Sequence, residues 1–60
     1  MMEWIPKKKG ERTIYECDGY TIQIKSMRWN LTYPDGTSAS FGMFATAALA
    51  AQADTDSRQG

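Results

Sequence analysis

The sequence predicts an α+β fold: a three- to four-stranded antiparallel β-meander followed by one short C-terminal α-helix packed on the sheet. Three observations carry this expectation. Tyr20-Thr21-Ile22-Gln23-Ile24-Lys25 and Arg28-Trp29-Asn30-Leu31-Thr32-Tyr33 alternate apolar and polar residues, the period of a strand with one buried face. Asp18-Gly19 and Pro34-Asp35-Gly36 punctuate these runs with residues that tolerate or preset turn dihedrals. Residues 45–53 then hold six alanines and one leucine, and alanine is the strongest helix former.

Taken in order, residues 1–10 read as an extended arm. Pro6 lacks an amide hydrogen, and Lys7-Lys8-Lys9-Gly10 has no apolar period. The sheet is expected over residues 11–43. Thr13-Ile14-Tyr15-Glu16-Cys17 is rich in β-branched and aromatic residues, and with Asp18-Gly19 behind it forms the first arm of a hairpin. Tyr20, Ile22 and Ile24 share one face of the next strand, and Trp29, Leu31 and Tyr33 share one face of the strand after it. Ser26-Met27 interrupts the alternation. Thr37–Met43 is small and polar until Phe41, which predicts a short or frayed last strand. A helix over 45–53, with Thr46 as its N-cap, is too short to stand alone in water and must dock on the sheet. Trp29, Leu31 and Ile22 are its expected neighbours, and Ile22, Ile24, Trp29 and Leu31 the expected core. Residues 54–60 read as a disordered polar tail.

Sixty residues predict a single domain that buries only about 60% of the surface its unfolded chain exposes. Domains of this size usually rely on a staple or a partner subunit. One cysteine and no histidine exclude an intramolecular disulfide and supply too few ligands for a zinc site. A homodimer therefore stays open. A free cysteine and the lack of a signal peptide or membrane span predict a cytoplasmic protein. The formal net charge is zero, which argues against bulk attraction to nucleic acid or anionic lipid. Along the chain the charge is lopsided. Residues 1–30 carry Lys7, Lys8, Lys9, Arg12, Lys25 and Arg28 against four acids, whereas residues 31–60 carry Arg58 against Asp35, Asp54 and Asp56.

Little in this composition supports catalysis. Cys17 lies between Glu16 and Asp18, neighbours that oppose a thiolate, so it reads as an inert strand-end cysteine. Glu11, Glu16, Asp18 and Asp35 read as turn or solvated strand residues before they read as an acid–base pair. The glycines are isolated and form no phosphate-cradling loop. No catalytic residue, metal ligand or cofactor is expected. Aromatic and basic residues are what remains. Tyr15, Tyr20, Trp29, Tyr33 and Phe41 interleave with Arg12, Lys25 and Arg28, a mixture found on stacking platforms for single-stranded nucleic acid. A small domain needs most of its large side chains for its core, however, and exposed Trp, Tyr and Arg suit a protein interface equally well. The candidate contact residues are Trp4, Lys7, Lys8, Lys9, Arg12, Tyr15, Arg28 and Tyr33.

Tyr20-x-Ile22, Trp29-x-Leu31-x-Tyr33-Pro34-Asp35-Gly36, Phe41 and the alanine-rich helix span residues 13–53. This arrangement resembles small proteins encoded by bacteriophages and other mobile elements, among them anti-CRISPR inhibitors of bacterial defence. The resemblance implies a bacterial host cytoplasm and a non-enzymatic protein-binding module that inhibits or modulates a host complex. The alternative expectation is a small nucleic-acid-binding or regulatory protein that uses the basic arm and an aromatic, basic strand face.

Overall fold

The computed structural model describes residues 3–59. It is an antiparallel sheet of five strands with one helix on one face: β1 Ile5–Lys9, β2 Arg12–Cys17, β3 Tyr20–Lys25, β4 Arg28–Thr32, β5 Ser38–Phe41 and α1 Phe44–Gln59. The strands lie side by side in chain order, each paired antiparallel with the next. The α+β class and the meander followed by a helix are as expected. The strand number is five, not three or four.

The additional strand comes from the expected arm. Ile5–Lys9 pairs with β2 from Ile5 opposite Glu16 to Lys9 opposite Arg12, while Met1 and Met2 lie outside the described residues. Proline and lysine are what natural sheets place on an edge strand, because they leave little for another chain to pair with. The lack of apolar period in Pro6-Lys7-Lys8-Lys9 therefore marks an exposed edge. It does not mark the absence of a strand.

The hairpin turns explain the register. Asp18 and Gly19 both take positive φ, at 48° and 88°, the requirement of the two-residue turn whose twist matches the flanking strands. Ser26 and Met27 do the same at 53° and 63° without the Asn-Gly sequence that usually accommodates it. An L-residue in this region costs about 1–2 kcal/mol. Met27→Gly is expected to raise unfolding free energy by about 1 kcal/mol, part of the gain being offset by glycine's unfolded-state entropy. A higher urea midpoint at unchanged slope would register it.

Cross-strand partners share a face, so the register sorts the side chains. Tyr15, Ile22, Leu31 and Ala39 form one row, and Ile24, Trp29 and Phe41 another, both on the face that α1 covers. Tyr20, Ile22, Leu31, Ala47 and Ala51 form the buried core, with the last four fully enclosed. Alanines at 47 and 51, one helical turn apart, bring α1 close enough for the sheet's larger side chains to close around it. Ile22 and Leu31 are core as expected. Ile24 is not: it remains half exposed, because it lies at the sheet end where α1 begins.

The helix also exceeds its expected limits. It starts at Phe44, with the Met43 carbonyl accepting from the Ala47 amide, so Met43 and not Thr46 is the capping residue. It continues through Asp54–Gln59, the segment expected to be disordered; Gly60 lies outside the described residues. The polar residues that suggested a tail instead pair along the helix, Gln52 with Asp56 and Arg58 with Asp54. They also tie it to the sheet. No described helix is long and apolar enough to cross a membrane.

Candidate functional site: a cationic row on the open sheet face

The face opposite α1 carries Ile5, Lys7 and Lys9 from β1, Arg12, Ile14 and Glu16 from β2, and Thr21, Gln23 and Lys25 from β3. Arg28, Asn30 and Thr32 of β4 and Ser38 and Ser40 of β5 complete it. Lys9 pairs with Arg12 and Lys25 with Arg28. Continuing the β2–β3 register from Ile14 opposite Gln23 sets Arg12 beside Lys25. Lys9, Arg12, Lys25 and Arg28 therefore form one row across four strands, all of them exposed. At the usual strand spacing the row spans about 15 Å.

This placement opposes stability, since like charges directly opposite on paired strands destabilise a sheet. Arg28 is steadied by Ser40 on β5, donating to its Oγ at 2.7 Å and to its carbonyl oxygen at 3.4 Å. One row inward, Lys7 is paired with Glu16 at 3.3 Å. Glu11, in the β1–β2 turn, is the acid at this end of the sheet.

The neutral chain is therefore strongly polarised. The open face holds Lys7, Lys9, Arg12, Lys25 and Arg28 against Glu16, a formal balance of +4. Everything else holds Lys8 and Arg58 against Glu3, Glu11, Asp18, Asp35, Asp54 and Asp56, a balance of −4. The six-residue β3 separates the two ends of the sheet by about 20 Å, roughly twice the screening length at physiological salt. The row thus presents a local field that net charge conceals.

Three exposed apolar side chains lie at the same end as the row. Met27, at the β3–β4 turn between Lys25 and Arg28, is 91% exposed, and Met43 and Ile24 are 62% and 50% exposed. Met27 is also the residue held at positive φ.

The expected contact residues divide between the faces. Lys7, Lys9, Arg12 and Arg28 lie on the open face, and register adds Lys25, which sequence reasoning did not single out as a contact. Lys8 points to the covered side, opposite Thr13. Trp4, Tyr15 and Tyr33 form no exposed patch and are half buried against the core cluster. Trp4 and Tyr15 meet Phe44 edge-on, with ring centroids 6.2 and 4.9 Å apart, and Trp29 meets Phe44 at 5.4 Å. Tyr33 meets Tyr20 at 5.9 Å. The aromatics pack against the core cluster, the use that a domain of this size favours over a stacking platform.

No family model, curated protein or solved structure matches this chain. Its own geometry is therefore what speaks to function.

The opposite end of the sheet is acidic and closed by a lock. The buried Tyr20 donates its hydroxyl proton to Asp54, which also accepts from Arg58 Nε at 2.7 Å. Arg58 reaches Asp35 at 3.6 Å, and Asp35 accepts from the Thr37 amide and hydroxyl. A cleft of about 370 Å³ lies there, lined by Asp18, Tyr20, Pro34, Thr55 and Arg58. Its arginine is engaged by Asp54. Nearby, burial and the Asp18 carboxylate push the Cys17 thiol up, away from nucleophilic chemistry. Among the described residues, no group of three or more His, Cys, Asp or Glu is placed to hold a metal ion.

The lock predicts a pH window. The Tyr20 hydroxyl, then Arg58, hold the Asp54 carboxyl below its ordinary value, and Thr37 does the same for Asp35. A depressed carboxylate contributes stability that is full above its unfolded value near 3.9 and is lost as pH falls through the folded value. Hydrogen bonding to Asp54 pushes the Tyr20 phenol up, so its contribution is full below about pH 10 and is lost as pH rises through the folded value. Helicity of the last turns is expected to hold between about pH 4 and 10 and to fall on both sides. Amide exchange across residues 54–58 measures this. Tyr20→Phe should abolish the alkaline limb and shrink the acid one.

Proposed function

We propose that this chain is a non-enzymatic protein-binding module that docks through the basic end of its open face. The observation carrying this reading is the coincidence of Lys9, Arg12, Lys25 and Arg28 with the exposed Met27 at the turn between them, with Met43 and, on the covered side, Ile24 exposed at the same end of the sheet. Arginine and methionine are enriched at protein interfaces, and charges around an apolar centre set specificity and encounter rate. The matching partner surface is acidic and surrounds an apolar depression. The strained Ser26-Met27 turn fits this reading, since left-handed non-glycine residues cluster at binding clamps. The resemblance to phage- and mobile-element-encoded proteins supports the further step that occupying such a surface inhibits or modulates a host complex, for example a defence system.

A second reading has its own observation. Thr21, Gln23, Asn30, Thr32, Ser38 and Ser40 share the open face with the cations, and these are the side-chain types that contact nucleic-acid phosphate and sugar. The described aromatics are packed against the other face, so this reading is confined to backbone contact without base stacking.

Affinity capture from a bacterial lysate, comparing the unaltered chain with Arg12→Glu/Lys25→Glu, separates the two. A stoichiometric protein retained by the first and missing from the second is the expected result. Retention of nucleic acid alone, with binding that collapses on added salt, would favour the second reading. Identical captures by both chains would overturn the assignment of the site. Met27→Gly adds an independent check, since it should strengthen the fold while weakening capture.

A further inference from the structure

We propose that β5 is a self-pairing edge, and that two copies of this chain join antiparallel along it to form a continuous ten-stranded sheet. The two edges of the sheet differ in kind. β1 presents Pro6, Lys7, Lys8 and Lys9, all exposed, the combination that blocks strand addition. β5 is Ser38-Ala39-Ser40-Phe41, with neither proline nor charge, and it has a strand on one side only. Its outward backbone groups form a template for strand addition, with the Ser40 carbonyl held only by a long 3.4 Å bond from Arg28 that a partner strand would have to displace.

The occupant is a second copy because the edge and the charges are both self-complementary. β5 runs from the acidic end of the sheet, where Asp35 precedes it, to the basic end, where Phe41 lies opposite Trp29 next to Arg28. Antiparallel pairing about a two-fold axis reverses one copy, so the basic end of each lies beside the acidic end of the other. Arg28, lying over β5 through Ser40, and Asp35, which already reaches Arg58 at 3.6 Å, lie at opposite ends of the shared edge, so each end brings one from each copy. Registers that keep both open faces on one side set Ala39 opposite Ala39, or Ser40 opposite Ser40, of the partner copy. Only small β5 side chains meet there, and Arg28 must swing off the Ser40 carbonyl to admit the partner strand. The described core, five buried residues, is small enough for a subunit contact to matter. The pair would display two cationic rows at diagonal corners of one surface, a bivalent arrangement that raises avidity for a repeated partner.

Sedimentation of the full chain is expected to show a dimer at tens of micromolar that weakens as salt is added. Ser38→Lys/Ser40→Lys places lysines on β5 as β1 already does, and should yield a folded monomer with unchanged circular dichroism. In a Cys17→Ser background, Ser40→Cys alone, or Ser40→Cys mixed with Ser38→Cys where Ala39 faces Ala39, should form an intermolecular disulfide on mild oxidation, whereas Leu49→Cys on the outer face of α1 should not. A monomer at 100 micromolar, or a dimer indifferent to the two lysines, would overturn the proposal. Loss of helicity in the lysine variant would move the decision to the disulfide pair, where equal crosslinking at both positions would also overturn it.

Discussion

Leu31→Ala is expected to remove about half of the domain's stability. Leu31 is fully enclosed, paired with Ile22 and Ala39 across the sheet and covered by Ala47 and Ala51. Truncating such a leucine removes its transfer free energy and leaves a cavity, about 2–5 kcal/mol together. A 60-residue domain has about 3–9 kcal/mol in total at the usual stability per residue. The loss is thus about half of what is available. Leu49→Ala is the matched control, because Leu49 is 70% exposed on the outer side of α1 and its truncation should fall within about 0.5 kcal/mol. Urea titrations of the two variants should therefore differ sharply despite identical chemistry. Ala51→Leu probes the same packing from the helix, since an added side chain between α1 and the sheet should cost about 1–3 kcal/mol by overpacking. Equal midpoints for Leu31→Ala and Leu49→Ala would show that the helix does not cover the sheet as described.

The parts of this fold legible in the sequence are those specified locally. Asp18-Gly19 names its own turn, and the alternation from Tyr20 and from Arg28 names the buried face of β3 and β4. What escaped depends on neighbours distant in the chain. Pro6-Lys7-Lys8-Lys9 has no strand period because an edge strand exposed along its length has no buried side to record one. Asp54–Arg58 looks like a solvated tail until Tyr20 and Asp35, far back in the chain, supply partners. Ile24 has the pattern of a core residue and the right face, but it lies at the sheet end where α1 only begins and stays half exposed.

The candidate site shows the same division more strongly. Lys7, Lys9, Arg12 and Arg28 were recognisable as exposed cations. Lys25 gained meaning only when register placed it between Arg12 and Arg28. Counting along the chain gives halves of modest opposite charge, whereas sorting by face gives +4 against −4. Trp4, Tyr15 and Tyr33 suited an interface by composition alone. Phe44 and the helix enlist them in packing, because a sheet of this size has few other large side chains with which to close its covered face.

Reversing the centre of the cationic row should move stability and binding in opposite directions. In Arg12→Glu/Lys25→Glu each new carboxylate faces a remaining cation, Lys9 across from residue 12 and Arg28 across from residue 25. Two of the three repulsive pairs become attractive, each worth about 0.2–1 kcal/mol, while residues 12 and 25 stay a like-charged pair, so the urea midpoint should rise or hold. Binding should fall, because a hydrogen bond to a charged group is worth about 1.5–3 kcal/mol. Each such bond removed therefore weakens affinity about 10–100-fold. The salt dependence of association should flatten in the variant, since the row supplies the steering field. Lys8→Glu changes charge on the covered side and should alter neither quantity appreciably. A purely structural row would behave otherwise: binding would be untouched, or stability and binding would fall together. A stabler protein that no longer binds is the outcome that assigns the row to function, since a sheet selected for stability alone would not keep four like charges abreast.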